Sequence, residues 1–337
     1  MTYTPRDMPE TPGVRSAGMG IDLLSQVLTL VRLTGALIFR VDLHGPWGIA
    51  SNPTLEKYAP LLPAGTNHIV AFHVMLEGRC WMRHGSPEWF EVAPGEAVVM
   101  AHGDQHDLAD RPGRETAPFA SMLGGRSVLE LRHERFDTGV GETASLICGF
   151  LGCDRRAFEP LFHSLPPVFK FRMDSHLDDM VRYAVADTLD DRPGSACLRV
   201  RFAELLFLEA LRGYLEGLTA DATGWLAGLR DPLVGRALRA LHAQPCRRWS
   251  VDELAAAIAT SRSVLAERFR QIIGEPPMHY LTRLRMQLAA RRLDESCSSI
   301  ARVADEVGYD SSAAFQRAFK RCFGMPPATW RRNAMLP

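Results

Sequence analysis

A mixed α+β chain in two parts is predicted: a small β-barrel with flanking helices, then an all-helical region built from one unit used twice. Three observations predict it. Residues 37–135 consist of short β-rich runs separated by Gly, Pro, Asn and Asp; residues 253–327 repeat at a near-constant offset; and charge divides between the two parts. The 337 residues exceed the ~250 to 300 at which single cores stop growing, so two domains are expected. Charged residues at 23% and hydrophobic residues at 46% exclude a disordered or low-complexity chain. No apolar run approaches the ~18 residues of a membrane span. Residues 1–13 lack the basic-then-apolar plan of a signal peptide, so a cytoplasmic protein without a membrane partner is expected. Seven cysteines, an odd number over a long chain, read as reduced thiols or ligands rather than a disulfide framework.

The elements follow in order. Over residues 21–31, Leu24, Val27, Leu28 and Val31 form one helical stripe. Residues 69–76, 80–82, 89–92 and 97–101 are strand-like, as are 145–152. Within 72–77, alternation puts His73, Met75 and Glu77 on one face and Phe72, Val74 and Leu76 on the other. After a Pro/Gly break at 192–195, residues 198–214 read as an apolar helix for packing or dimerisation, with Phe202, Leu205, Leu206, Leu208 and Leu211. A linker is placed at 217–231, dividing a sensor and dimerisation region (1–216) from a second domain (232–333). Asp231 and Pro232 open a further helix over 233–242.

The second domain contains the same unit twice, at about 250–274 and 298–324. Leu254, Ala255 and Ile258 match Val303, Ala304 and Val307 at an offset of 49; Leu265, Phe269, Gly274, Pro276 and Pro277 match Phe315, Phe319, Gly324, Pro326 and Pro327 at 50. In the first unit Ser250 caps a short helix, with Glu253 completing a capping box; the turn falls at 259–261, and Ser261 caps a second helix that Gly274 ends. In the second unit Gly308 makes the turn. Each is a helix-turn-helix plan whose second helix can enter a major groove. An amphipathic helix over 278–293 joins them, with Leu281, Leu284, Leu288 and Leu293 inward and Arg283, Arg285, Arg291 and Arg292 expected outside. The zero net charge conceals a division: residues 1–235 hold 22 Lys and Arg against 30 Asp and Glu, and 236–337 hold 17 against 9. A basic C-terminal third suits a polyanion, because neutralising phosphates releases counterions.

From Trp249 to Arg332 the pattern resembles the AraC/XylS family of transcriptional regulators. The residues that carry it are the paired units, Phe269 with Gly274 and Pro277, Tyr280-Leu281 with Arg285, Val303-Ala304 with Gly308-Tyr309, and Phe319-Lys320 with Gly324 and Pro327. The resemblance implies sequence-specific binding to double-stranded promoter DNA, with RNA polymerase as a further partner if the protein activates. By position in the family pattern, the base-facing residues are Arg262, Ser263, Ala266 and Glu267 in the first unit and Ser312, Ala313, Gln316 and Arg317 in the second. Glu267 departs from the arginine of many relatives and can only accept, as from a cytosine amine. Base reading therefore leans on Gln316 for adenine and Arg317 for guanine, while Arg268, Arg270, Lys320 and Arg321 are assigned to phosphates.

The segments 73–78 and 92–106, with Leu76 and Gly78, Pro94-Gly95-Glu96 and His106, resemble the cupin barrels that serve as sensor domains in part of this family. The His-x-His and Glu ligands of a catalytic cupin are absent. Cupin topology brings His106 toward His73, and Cys148 can reach the same cavity. This His/His/Cys set suits zinc or another divalent metal, with Cys153 or His44 to complete it; the alternative is two satisfied histidines and a buried thiol. The expected function is a DNA-binding regulator, dimeric and without catalytic residues, whose cupin-like domain senses a small molecule, metal or redox signal. The alternative is a metal-dependent cupin enzyme fused to DNA-binding units.

Overall fold

The computed structural model describes residues 22–334 except 32, 59–61, 63–65 and 191. Helix α1 (Leu23–Leu30) is capped by Asp22, whose carboxylate accepts from the amides of Leu24 and Ser25. Ile21, where the sequence starts this helix, and residues 1–13 lie outside the described residues.

The β region then runs β1 (Leu33–His44), β2 (Gly48–Ser51), α2 (Leu55–Tyr58), β3 (His68–Glu77), β4 (Cys80–Arg83), β5 (Phe90–Val92) and β6 (Glu96–Met100). It continues through β7 (His106–Ala109), β8 (Ala117–Pro118), α3 (Phe119–Met122), β9 (His133–Asp137) and β10 (Thr143–Cys153). After a 3-10 turn at Arg155–Phe158 come α4 (Glu159–His163) and β11 (Val168–Arg172). The strands make two sheets, β11-β6-β3-β10-β1-β9 and β5-β4-β7-β2-β8. Among the described residues no strand pairing joins them, so the expected barrel is two facing sheets with open edges. The long strands β1, β3 and β10 collect in the first sheet, while the strands of the second are two to four residues long and too short to wrap round to it.

Alternation on β3 and β10 divides two cores. Ala71, Met75, Leu146 and Phe150 point between the sheets, and Val70, Phe72, Val74, Ile147 and Leu151 point the other way. The outer face is covered by α6 (Ser195–Gly217), on which α5 (Ser175–Asp190) packs, while α1 lies against the 3-10 turn that follows β10. Gly149 allows this layering: a Cβ there would stand 2.2 Å from Cζ of Phe72, so only glycine lets that ring lie against β10.

The helical part comprises α7 (Trp225–Arg230), α8 (Pro232–Ala243), α9 (Val251–Ala257), α10 (Arg262–Ile273), α11 (Pro277–Glu295), α12 (Ile300–Glu306), α13 (Ser312–Phe323) and α14 (Pro327–Ala334). The capping box of α9 is complete: Glu253 donates its amide to the Ser250 hydroxyl at 3.1 Å and accepts from the Ser250 amide at 2.7 Å. Gly274 and Gly324 end α10 and α13 in the left-handed conformation. The turns between paired helices differ: Gly308 holds φ +82° in the second, but the first uses Ala259 at φ +55°, a conformation that costs a residue with a Cβ about 1 to 2 kcal/mol.

Helix α7 falls inside the stretch assigned to a linker, with Trp225, Leu226 and Ala227 buried. The reason is a shared core. One apolar cluster runs from Phe72 on the sheet through Phe158, Trp225, Leu238, Leu254, Phe269 and Leu284, so α7 to α10 and the first half of α11 pack as part of the β domain. Met286, Leu293, Val303, Phe315, Phe319 and Trp330 make a separate core under α12 to α14. Among the described residues no helix is long and apolar enough to cross a membrane.

Candidate functional site

Helices α10 and α13 occupy equivalent places in the two helix pairs. Leu265, Phe269 and Ile272 bury one face of α10, and Phe315, Ala318 and Phe319 bury the same face of α13. The opposite faces are open. Arg262, Ser263, Glu267 and Arg270 are exposed on α10, as are Ala313, Gln316, Arg317, Lys320 and Arg321 on α13; Ala266 and Ser312 are half-buried. Among the described residues the side chains of Arg270, Arg317, Lys320 and Arg321 make no hydrogen bond or ion pair, which leaves their charge available. The amide of Gln316 donates to Ser312 at 3.3 Å, and Arg262 pairs with Asp252 at 3.1 Å.

Arg268 stands differently from its expected place on a phosphate. Its guanidinium pairs with Asp231 at 2.9 Å and donates to Gln271. Asp231 in turn caps α8 by accepting from the amides of Leu233 and Val234. Arg268 therefore braces α10 against α8. Arg268→Gln is expected to lower stability by about 1 kcal/mol and leave the salt dependence of DNA binding unchanged; a shallower salt slope at normal stability would return it to the phosphate contacts.

The four arginines placed outside α11 are likewise committed. Arg283 pairs with Glu275, Arg291 with Glu295 and Arg292 with Glu306. Arg285 donates to the carbonyls of Pro245 and Arg247 at 2.7 Å each and of Gly308 at 3.3 Å, pinning the turn of the second helix pair to the loop after α8. Sequence periodicity places these residues on the outer face but carries no information about acceptors from other segments.

Between the sheets, the three residues picked from sequence meet. Cys148 lies opposite His73 in the β10–β3 register, and His106 opens β7. His73 Nδ1 is 3.1 Å from Cys148 Sγ, and its Nε2 is 2.8 Å from His106 Nε2. His106 Nδ1 is 2.8 Å from the carbonyl of Asp104. That carbonyl only accepts, so it sets every proton. His106 donates from Nδ1 and accepts at Nε2; His73 donates from Nε2 and accepts at Nδ1; the Cys148 thiol donates to His73. Burial holds the row neutral: it pulls His106 down to about 4, keeps His73 well below its ordinary value with His106 adding to the effect, and pushes the Cys148 thiol up to about 12.

These groups form a row instead of a shell. Cys148 and His106 occupy opposite edges of the His73 ring, so the three do not converge on one point, and among the described residues no group of three or more His, Cys, Asp or Glu is placed to hold a metal ion. His44 bonds Asp137 near the surface, and Cys153 belongs to the outer core. The donor set thus does not fit the expected zinc or other divalent metal.

Beside the row lies a cavity of about 20 Å³, lined by Phe39, Trp47, Phe119 and Phe150 with Ser51, His73 and Cys148 as its polar members. It has room for about one water molecule. Phe119, half-buried on α3, stacks on Phe39 at 5.7 Å and forms its most exposed aromatic wall.

Strand β10 links this row to the helices. Five residues beyond Cys148 it ends at Cys153, and the 3-10 turn follows at once. There Phe158, fully buried, meets Trp225 edge-on at 4.9 Å and His242 at 6.0 Å. Trp225 donates to the Tyr280 hydroxyl at 2.9 Å, and that hydroxyl shares a hydrogen bond with His242 Nε2 at 2.6 Å. Arg156 of the same turn lies over the Trp330 ring at 4.8 Å. Sequence patterning does not single out Phe158, because its partners lie more than 60 residues away.

Comparison with known proteins agrees with this architecture. Residues 22–216 match the cupin family model and residues 254–333 a helix-turn-helix domain model. The chain is 34% identical over 322 residues to an AraC-like transcription regulator of Streptomyces lividans, covering 94% of this chain and 100% of the relative. A second AraC-like regulator, from Streptomyces antibioticus, is 32% identical over 324 residues, with 94% and 100% covered. The HTH-type transcriptional regulator AlkR of Acinetobacter baylyi is 34% identical over 322 residues, with 93% and 100% covered. The chain belongs to the AraC-like transcription regulators, DNA-binding proteins that here carry a cupin domain ahead of the helix-turn-helix domain.

Proposed function

We propose that α9–α10 and α12–α13 are two DNA-reading units held by α11, and that the cupin domain sets their activity in response to a small effector. The observation that carries the reading is the pair of equivalent open faces on α10 and α13, with Arg317, Lys320 and Arg321 uncommitted beside Gln316. Gln316 and Arg317 serve bases; Lys320, Arg321 and Arg270 serve phosphates. Units set about one helical turn apart suit successive major grooves of promoter DNA. The proposed division keeps residues 22–216 as sensor, but α7 and α8 belong mechanically to it through the shared core.

The effector site in this reading is the cavity beside the Cys148–His73–His106 row. Its small size requires a wall to move on entry, and Phe119 is the wall with least support. Displacement of Cys148 travels along β10 to Phe158 and so to α7, α8 and α11. The physical basis is direct covalent continuity over ten residues. A homodimer formed through α5 and α6, and contact with RNA polymerase during activation, complete the proposal.

Selection of bound sequences from random duplex DNA tests the reading. On the motif recovered, Arg317→Ala should weaken binding by about 1 to 3 kcal/mol and relax specificity at one base pair. Lys320→Ala should weaken all DNA uniformly and reduce the salt slope by about 1. Equal losses for Arg317→Ala on selected and random DNA would remove its base-reading role.

A further inference from the structure

The two reading helices are equivalent in backbone and opposite in chemistry. At the offset of 50, Glu267 of α10 stands where α13 has Arg317, and both are exposed. Val264 stands where α13 has the half-buried Ala314, yet Val264 is 48% exposed, one of four large hydrophobic residues so exposed among the described residues. The core of α10 does not use it, since Leu265, Phe269 and Ile272 supply the buried face. The nearby cations are engaged: Arg262 with Asp252, and Arg268 with Asp231.

What remains on the first two turns of α10 is a hydroxyl from Ser263, an isopropyl group from Val264 and a carboxylate from Glu267. In the major groove the thymine C5-methyl is the apolar group, and a glutamate matches the cytosine N4 amine as acceptor. Neither side chain suits guanine, whose groove edge offers acceptors only. Val264 and Glu267 are three residues apart, hence about 4.5 Å along the helix axis, close to the ~3.4 Å between successive bases of a strand. The pair can therefore address neighbouring bases.

We infer that α10 reads a pyrimidine step, with Val264 on a thymine methyl and Glu267 on a cytosine amine, where α13 reads a purine step through Gln316 and Arg317. The operator half-sites then differ in base type although the protein units are duplicates. This rests on the reading of α10 and α13 as the base-reading helices.

The test starts from the motif selected by the full-length protein. The half-site whose preference is lost in Arg317→Ala is that of α13, and the other belongs to α10. Fluorescence anisotropy is then measured on duplexes in which each thymine of the α10 half-site is replaced in turn by deoxyuridine, which lacks only the methyl. One such replacement should weaken the wild-type protein about three- to fourfold, the worth of one buried methyl, and leave Val264→Ala unaffected. Because Val264 is exposed, its replacement does not threaten the fold. Glu267→Gln should flatten the preference for cytosine at the adjacent position by about fivefold or more.

Deoxyuridine without effect on the wild type, or with equal effect on Val264→Ala, overturns the role of Val264. A purine step on the contacted strand of the α10 half-site, or an unchanged cytosine preference in Glu267→Gln, overturns the pyrimidine reading while leaving the helices as DNA readers. Absence of any selected motif removes the reading on which the inference stands.

Discussion

Replacing Phe158 with alanine should cost about 3 to 5 kcal/mol, the usual toll of emptying an aromatic site in a packed core. The side chain has no exposed surface and sits between Trp225 and His242 at the meeting of the sheet with α7 and α8. The loss should also have a particular form. Phe158 is where the turn after β10 enters the core that unites both domains, so its removal should split one cooperative urea transition into two, the earlier one reporting the α7 to α10 region. Tryptophan fluorescence separates the events, because Trp225 changes surroundings in the first. A single transition shifted by less than about 1 kcal/mol would mean that the two domains do not communicate through this residue.

Acid should unfold the protein well above the pH at which carboxylates titrate. His68 donates from Nε2 to the Ala101 carbonyl at 2.7 Å and is held down to about 4 by burial; burial likewise brings His106 and His242 to about 4 and holds His73 well below its ordinary value. Each folded value lies below the ordinary value of 6.5, so the unfolded chain binds the extra proton. Stability is complete above pH 6.5 and falls as pH drops toward about 4. One histidine kept neutral contributes about 1.4 kcal/mol per pH unit over that window, so three should remove about 6 kcal/mol between pH 7 and pH 5. Urea midpoints at pH 7, 6 and 5 measure this. A midpoint unchanged over that range would show that these histidines take up protons while folded.

Legibility followed the range of the interactions. The caps at Ser250 and Ser261, the glycine stops at 274 and 324 and the stripe of Leu265 and Phe269 are local, and periodicity with capping chemistry reads them directly. Strand alternation likewise placed His73 and Met75 on one face of β3, and the meeting of His73, His106 and Cys148 inside the β region followed from the resemblance to cupins. The proton order along their row depends on a single backbone carbonyl, that of Asp104, which no side-chain pattern encodes. The partners of Arg268 and Arg285 were not legible for a related reason. An exposed position on a helical wheel says nothing about an Asp231 or a Gly308 carbonyl brought up from another element. The stretch 217–231, placed as a linker between two apolar helices, holds the buried Trp225 and Leu226 of α7; a six-residue helix is too short to show a helical stripe.

The single core running from Phe72 to Phe269 has a thermodynamic consequence. Whatever free energy an occupant of the cupin cavity transmits to α10, DNA held by α10 must return in full, because binding coupling between two sites is reciprocal. Under the proposed function, operator DNA is in that sense an effector of the sensor: it would change the affinity of the cavity for its occupant by the same factor that the occupant changes affinity for the operator. The core beneath α13 is separate, so the two halves of an operator need not contribute equally. Under the proposed function, base pairs under α10 would carry the exchange with the sensor, while those under α13 would anchor the protein with less dependence on its state.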